Sequence, residues 1–203
     1  MINQQLEAIN LCCIRDERVL FNDLNFVLES GQVLLIEGAN GAGKTSLLRI
    51  LTGLRKADVG QLKWNGEMID DVSIFYQAMA YISHHNALKT TLTAQENLQY
   101  AQSLTSATLS TDVVLAQVGL SGYQDTLVRF LSAGQRRRLA LARVLCTGKS
   151  LWILDEPFTS LDKAGISLFE QFIANHVVNG GLVIMTSHHQ TVLPSTYVKK
   201  IHL

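Results

Sequence analysis

The stretch Val33-Leu34-Leu35-Ile36-Glu37-Gly38-Ala39-Asn40-Gly41-Ala42-Gly43-Lys44-Thr45-Ser46-Leu47-Leu48 decides how this chain is read. An apolar run of strand length meets a glycine-rich turn, and a helical pattern follows. In that context G-x-x-x-x-G-K-[ST] is a phosphate-binding loop. Its glycines let consecutive backbone N–H groups curve around a β-phosphate with no Cβ in the way. The helix that follows aims its positive end at the same point. Lys44 adds a point charge for the β- and γ-phosphates, and Thr45 offers a hydroxyl to Mg²⁺. Gly38, Ala39, Asn40, Gly41, Ala42, Gly43, Lys44, Thr45 and Ser46 are therefore the expected nucleotide cradle. A chance glycine turn would have no reason to carry both the lysine and the threonine.

Outward from the loop, residues 5–30 read as two or three strands, with Arg15-Asp16-Glu17-Arg18 as the turn. The helix from Lys44 is expected to stop near Gly53. Trp64-Asn65-Gly66-Glu67 is a hairpin turn of the Asn-Gly kind. Residues 80–83 suit a short strand, and a polar stretch runs from His84 to Thr91. Thr93 and Glu96 have capping-box spacing, so a helix begins there. Residues 94–146 read as mainly helical, broken at Ser103–Ser110 and Gly119–Thr126. Leu151-Trp152-Ile153-Leu154 suits a buried parallel strand, ending in Asp155-Glu156-Pro157. Helix 163–178 and strand Leu182–Thr186 follow. Strands and helices alternate in the core, which predicts an α/β fold with a parallel sheet and a site at the strand C-termini. The helical block interrupts that alternation as an insertion.

Bulk properties narrow the function. The chain has 203 residues, enough for one medium domain or two subdomains sharing a core. Lys+Arg and Asp+Glu are equal at 17 each, so nothing marks nucleic acid as the main partner. No apolar run approaches the roughly 18–20 residues that span a bilayer. MINQQLEAIN lacks the features of a secretory signal, so a cytosolic chain is expected, with any membrane role needing a separate membrane partner. Cys12, Cys13 and Cys146 lack metal-binding or disulfide spacing and are expected to be buried thiols.

Beyond the loop, Asp155 closes an apolar strand, the placement of an acid that holds Mg²⁺ beside a phosphate loop. Glu156, pointing away from it by strand alternation, is the candidate base that polarises water for in-line attack on a γ-phosphate. Leu131-Ser132-Ala133-Gly134-Gln135 opens a helix with Ser132 at its N-cap, a second anion-accepting end. Arg136-Arg137-Arg138 follows; alone it reads as a basic first turn or a nucleic-acid patch, and the balanced charge elsewhere argues against the latter.

Taken together, these stretches resemble the nucleotide-binding subunit of ATP-binding cassette (ABC) transporters. GANGAGKT is similar to the family's phosphate loop, LSAGQ to its signature and LWILDE to its metal-binding strand with a catalytic glutamate. Ser160-Leu161-Asp162 resembles the loop that meets a second subunit, and His188 stands at the family's switch histidine. The resemblance implies a single domain over 1–203. Residues 1–83 and 147–203 would form the phosphate-loop core with an antiparallel β-subdomain, and 84–146 the helical signature subdomain. It also implies an ATPase using ATP and Mg²⁺, with Lys44, Glu156 and His188 in catalysis and Thr45 and Asp155 on the metal. Two copies would pack head to tail, each ATP lying between one phosphate loop and the partner's Ser132, Gly134 and Gln135.

Three departures refine the resemblance. Ala133 replaces one of the signature's two central glycines. The usual adenine-stacking aromatic would fall near Arg15, whose guanidinium plane can stack instead. His84, in Tyr81-Ile82-Ser83-His84, stands where a metal-contacting glutamine is usual. Arg15 to Phe21, the Y-I-x-H segment, Lys89 to Leu98, LSAGQ and WILDEPF resemble one subfamily, the ATP-binding subunits of the cytochrome c maturation, or haem exporter, system. That implies a peripheral protein on the cytoplasmic face of the inner membrane, with separate haem-handling membrane subunits docked near His85–Gln99. ATP turnover there would drive haem export or release of a haem-loaded chaperone; an exporter of another small molecule or lipid is the alternative. No C-x-x-C-H occurs, so direct haem binding is not expected.

Overall fold

The computed structural model describes residues 3–69, 72–105, 109–187 and 193–203. Two sheets organise it. The first is antiparallel, with strand order β2-β1-β4-β5 from β1 (Gln5–Arg15), β2 (Arg18–Glu29), β4 (Val59–Trp64) and β5 (Glu67–Met68). Its tight turns are built by residues that tolerate left-handed backbone. Asp16 and Glu17 join β1 to β2 at φ 49° and 62°, and Asn65-Gly66 joins β4 to β5 at 53° and 85°.

The second sheet is wholly parallel, with order β6-β7-β8-β3-β9. It comprises β3 (Val33–Glu37), β6 (Met79–Ile82), β7 (Leu151–Asp155), β8 (Leu182–Thr186) and β9 (Val198–His202). Its central strands are apolar on both faces because both faces are covered. Val33, Leu35, Trp152, Leu154, Val183 and Met185 pack with the long helix α6 (Lys163–Val178) and the helical insertion. Leu34, Ile36, Leu151, Ile153, Leu182 and Ile184 pack with α1 (Lys44–Leu51) and the antiparallel sheet. The alternation along each strand thus divides one apolar run between two cores. A short helix, α2 (Val72–Ala78), leads into β6.

The insertion holds α3 (Ala94–Gln102), α4 (Thr111–Gln117) and α5 (Ala133–Cys146). The Thr93/Glu96 capping box forms as the spacing predicts, and Ser132 and Gln135 make a second one at the start of α5. Gly53, at φ 71°, follows the end of α1. All three cysteines are buried free thiols, and burial pushes Cys146 up to about 11. At the N-terminal ends of the parallel strands Trp152 stacks on His176, with centroids 3.7 Å apart and planes 8° from parallel. His176 Nε2 lies 3.0 Å from the Ser150 carbonyl. Among the described residues no helix is long and apolar enough to cross a membrane.

Candidate nucleotide site

The loop leaves the carboxyl end of β3, and its first glycine is sterically dictated. Gly38 has φ 151°, and a Cβ there would lie 2.7 Å from the Leu203 carbonyl oxygen, just beyond neighbouring β9. Lys44 is buried, and its Nζ donates to the carbonyls of Gly38 at 2.7 Å and Ala39 at 3.1 Å. The ammonium therefore sits inside the curve of the loop.

Asp155 ends β7, two strands away, and β8 fills the gap between β7 and β3. Thr45 Oγ1 donates to Asp155 Oδ2 at 3.2 Å, joining residues 110 apart in sequence. The other carboxylate oxygen, Oδ1, accepts from Thr186 Oγ1 at 2.8 Å. Thr186 also accepts from the Glu156 N–H at 2.8 Å. No local pattern marks Thr186, although it closes an apolar strand as Asp155 does, and it aims both acids. Two hard oxygens, Thr45 Oγ1 and Asp155 Oδ2, thus converge as Mg²⁺ prefers.

Glu156 departs from simple strand alternation. The strand stops at Asp155, and Glu156 adopts φ 45°, a left-handed conformation uncommon outside glycine. That turn sends Glu156 into a cavity of about 300 Å³ that it lines with Arg15, Asn40, Gly41, Gly43, Lys44, Thr45 and Ser46. Arg15 is exposed, 3.5 Å from the Asp16 carboxylate, and reaches this cavity from the tip of the β1–β2 hairpin. Leu20, on β2, joins the same lining and was not anticipated.

Other expected residues lie apart from this cavity. Ser132, Gly134 and Gln135 start α5 outside its lining. Ser132 is exposed, and Gly134 abuts the carbonyl of Ser160, itself at φ 66°. His84 is exposed beyond β6, edge-on to His85 with centroids 5.8 Å apart, also outside the cavity lining. His188 lies outside the described residues.

The arginines after the signature turn inward rather than forming a basic face. Arg137 is 2% exposed, and its guanidinium bonds backbone at residues 83 and 155–157. Arg138 pairs with Asp162 at 2.7 Å, and Asp162 caps α6 through the Gly165 N–H. Arg143 donates to the carbonyls of Asn86 at 3.2 Å and Ala87 at 2.9 Å. One signal for the burial of Arg137 existed: Leu141 and Val144, four and seven residues on, are buried on the same face of α5, although that spacing names none of its partners.

Two layers around one phosphate loop, with a helical insertion carrying a second capped helix, define a nucleotide-binding cassette. The chain belongs to the ABC transporter family, which it matches over residues 21–159. Its relatives include the cytochrome c biogenesis ATP-binding export protein CcmA of Vibrio vulnificus (strain YJ016), 47% identical over 202 residues and covering 98% of both chains. The protein of the same name from Photobacterium profundum is 43% identical over 213 residues, covering 98% of this chain and 99% of that one. The one from Yersinia pestis bv. Antiqua (strain Nepal516) is 47% identical over 201 residues, covering 98% and 92%. Among solved structures, an ABC transporter ATP-binding protein of Pyrococcus furiosus superposes with TM-score 0.83 at 21% identity, covering 97% of this chain and 96% of that one. An ATP-binding subunit of an ABC transporter gives 0.85 at 23% identity, covering 98% and 85%. At those identities the structures establish the fold.

Proposed function

We infer that the chain is the ATP-hydrolysing subunit of a membrane complex for cytochrome c biogenesis, serving haem export or release of a haem-loaded chaperone. One observation carries the ATPase reading: Lys44, Thr45 and Glu156 line one cavity, and Asp155 bonds Thr45 at its edge. The similarity to the CcmA proteins supports the task.

In this reading Lys44 Nζ exchanges the loop carbonyls for phosphate oxygens, and the loop N–H groups hold the β-phosphate. Thr45 and Asp155 would hold Mg²⁺, which when bound supplies neutralisation of the phosphate charge. Glu156 accepts a proton from the water that attacks the γ-phosphate in line. Arg15 lies flat on the adenine. Ser132, Gly134 and Gln135 complete the site of a second copy packed head to tail, and closure of that dimer completes the catalytic constellation. His188 serves as the switch histidine, and His84 takes the glutamine's place at the metal and links it to the membrane subunits. The core (1–83 and 147–203) and the helical subdomain (84–146) act as the two parts of one domain. The membrane subunits dock in the groove between the core and the helical subdomain, near His85–Gln99. The protein then sits on the cytoplasmic face of the inner membrane.

The test is Glu156→Gln in membranes, with co-purified proteins identified by mass. The expected result is loss of ATP hydrolysis with retained binding, a trapped ATP-bound dimer and recovery of a haem-handling membrane protein. Wild-type turnover by the variant would remove Glu156 as base. Recovery of ribosomes would remove the biogenesis reading.

A further inference from the structure

We propose that Arg137 is a positioning residue for hydrolysis, its guanidinium fixing the turn at Glu156 and tying that turn to the loop 83–86. The proposal rests on Glu156 being the base.

A guanidinium carries five N–H donors in a rigid plane. Here every one has an acceptor. Nε donates to the Pro157 carbonyl at 3.0 Å. Nη2 donates to the carbonyls of Asp155 at 2.9 Å and Glu156 at 2.6 Å. Nη1 donates to the Ser83 carbonyl at 3.3 Å and to Asn86 Oδ1 at 3.0 Å. Three consecutive carbonyls can face one cation only where the chain turns sharply, and Glu156 at φ 45° supplies that turn. Left-handed backbone at a non-glycine residue persists where its surroundings over-determine it. Arg137 does so from the carbonyl side, and Thr186 from the N–H side at 2.8 Å. Those two anchors fix where the Glu156 side chain leaves the backbone, and Thr159 Oγ1 donates to its carboxylate at 3.4 Å.

The remaining two donors reach the loop that carries His84. The same guanidinium plane therefore touches the loop after β6 and the backbone of the base. A displacement of 83–86 draws on Nη1, and a planar group passes the rotation to Nη2. Lysine, with three donors radiating from one atom, cannot span these five acceptors.

A purely structural hub would lower stability and weaken every function together. A positioning residue slows turnover, leaves nucleotide affinity alone and has nothing left to do once the base is gone. The experiment uses the full-length chain with its co-purifying membrane partners. Arg137→Lys and Asn86→Ala are made singly and combined with Glu156→Gln; ATP turnover and affinity for a fluorescent ADP analogue are measured. Expected are falls in kcat of about tenfold or more for Arg137→Lys and about threefold for Asn86→Ala, with affinity changed less than about twofold. Neither substitution should slow the residual turnover of Glu156→Gln further. Loss of nucleotide affinity in parallel with kcat, or full additive slowing in the Glu156→Gln background, overturns the proposal. If Arg137→Lys does not fold, the Asn86→Ala cycle decides alone, and unchanged turnover in Asn86→Ala overturns it. Wild-type turnover by Glu156→Gln alone is a separate failure, that of the base assignment, and is visible before any double variant is read.

Discussion

Thr186→Val should uncouple both acids from the end of β8 while keeping the side-chain shape. Thr186 is fully buried, its hydroxyl donating to Asp155 Oδ1 at 2.8 Å and accepting from the Glu156 N–H at 2.8 Å. A hydrogen bond to a charged group contributes roughly 1.5–3 kcal/mol, and a buried N–H left unsatisfied costs about 1–3 kcal/mol. The added methyl recovers about 0.8 kcal/mol of transfer free energy. The net loss is about 3 kcal/mol, equivalent to roughly 6–12 °C in Tm for a chain of this size. Urea and thermal unfolding followed by far-UV circular dichroism measure it, with Thr186→Ser as the control that keeps the oxygen. Turnover should fall further than stability alone explains, because Asp155 and Glu156 lose their common anchor. A Thr186→Val protein within about 0.5 kcal/mol of wild type, the usual range for substitutions away from such features, would refute the reasoning. So would a Thr186→Ser protein as unstable as the valine variant.

Gly38→Ala should lose most of its nucleotide affinity, since a Cβ would press on the Leu203 carbonyl 2.7 Å away; equilibrium binding of a fluorescent nucleotide reads this. Cys146 should resist thiol-labelling reagents at pH 8 in the folded chain and react on unfolding, because burial holds its pKa near 11 against an ordinary 9.0. The folded state favours the neutral thiol. The stability it contributes is therefore complete below pH 9.0 and is lost as the pH rises toward about 11. Asp162 is held below the ordinary carboxylate range by the Gly165 N–H and then by Arg138, so its contribution is present above that range and is lost as pH falls through the lowered pKa. An acid titration should show Asp162→Asn less acid-sensitive than wild type. Gly181→Ala should disturb the Trp152–His176 stack, because a Cβ there would run into the imidazole; a changed near-UV dichroism of tryptophan reports it.

The parts of the fold that could be read in advance are those set by local chemistry. The phosphate loop needs glycines and a lysine, the Thr93/Glu96 box needs its own spacing, and Asn65-Gly66 needs left-handed backbone. Helix 163–178 and strands 33–37 and 182–186 matched because their patterns are long or wholly apolar. What escaped was decided by partners distant in sequence. β9 has two lysines among five residues and an exposed face, as an edge strand should, and only pairing with β3 makes it a strand. α2 is seven residues long and includes aromatic and β-branched residues, so its helicity comes from packing Phe75 into the core. Thr186 and Arg137 gain their roles from strand order and from a turn 20 residues away, which no local pattern records.

The stack of Trp152 on His176 makes the molecule optically addressable. The chain has 2 tryptophans, and they sit in different cores. Trp64 leans edge-on against Phe75 at 5.5 Å, whereas Trp152 lies flat on an imidazole at 3.7 Å. Burial holds the His176 imidazole below its ordinary pKa, so near pH 7 Trp152 rests on an uncharged ring. With either tryptophan replaced by phenylalanine, the signal of the other follows its own core, and the two cores can be watched separately.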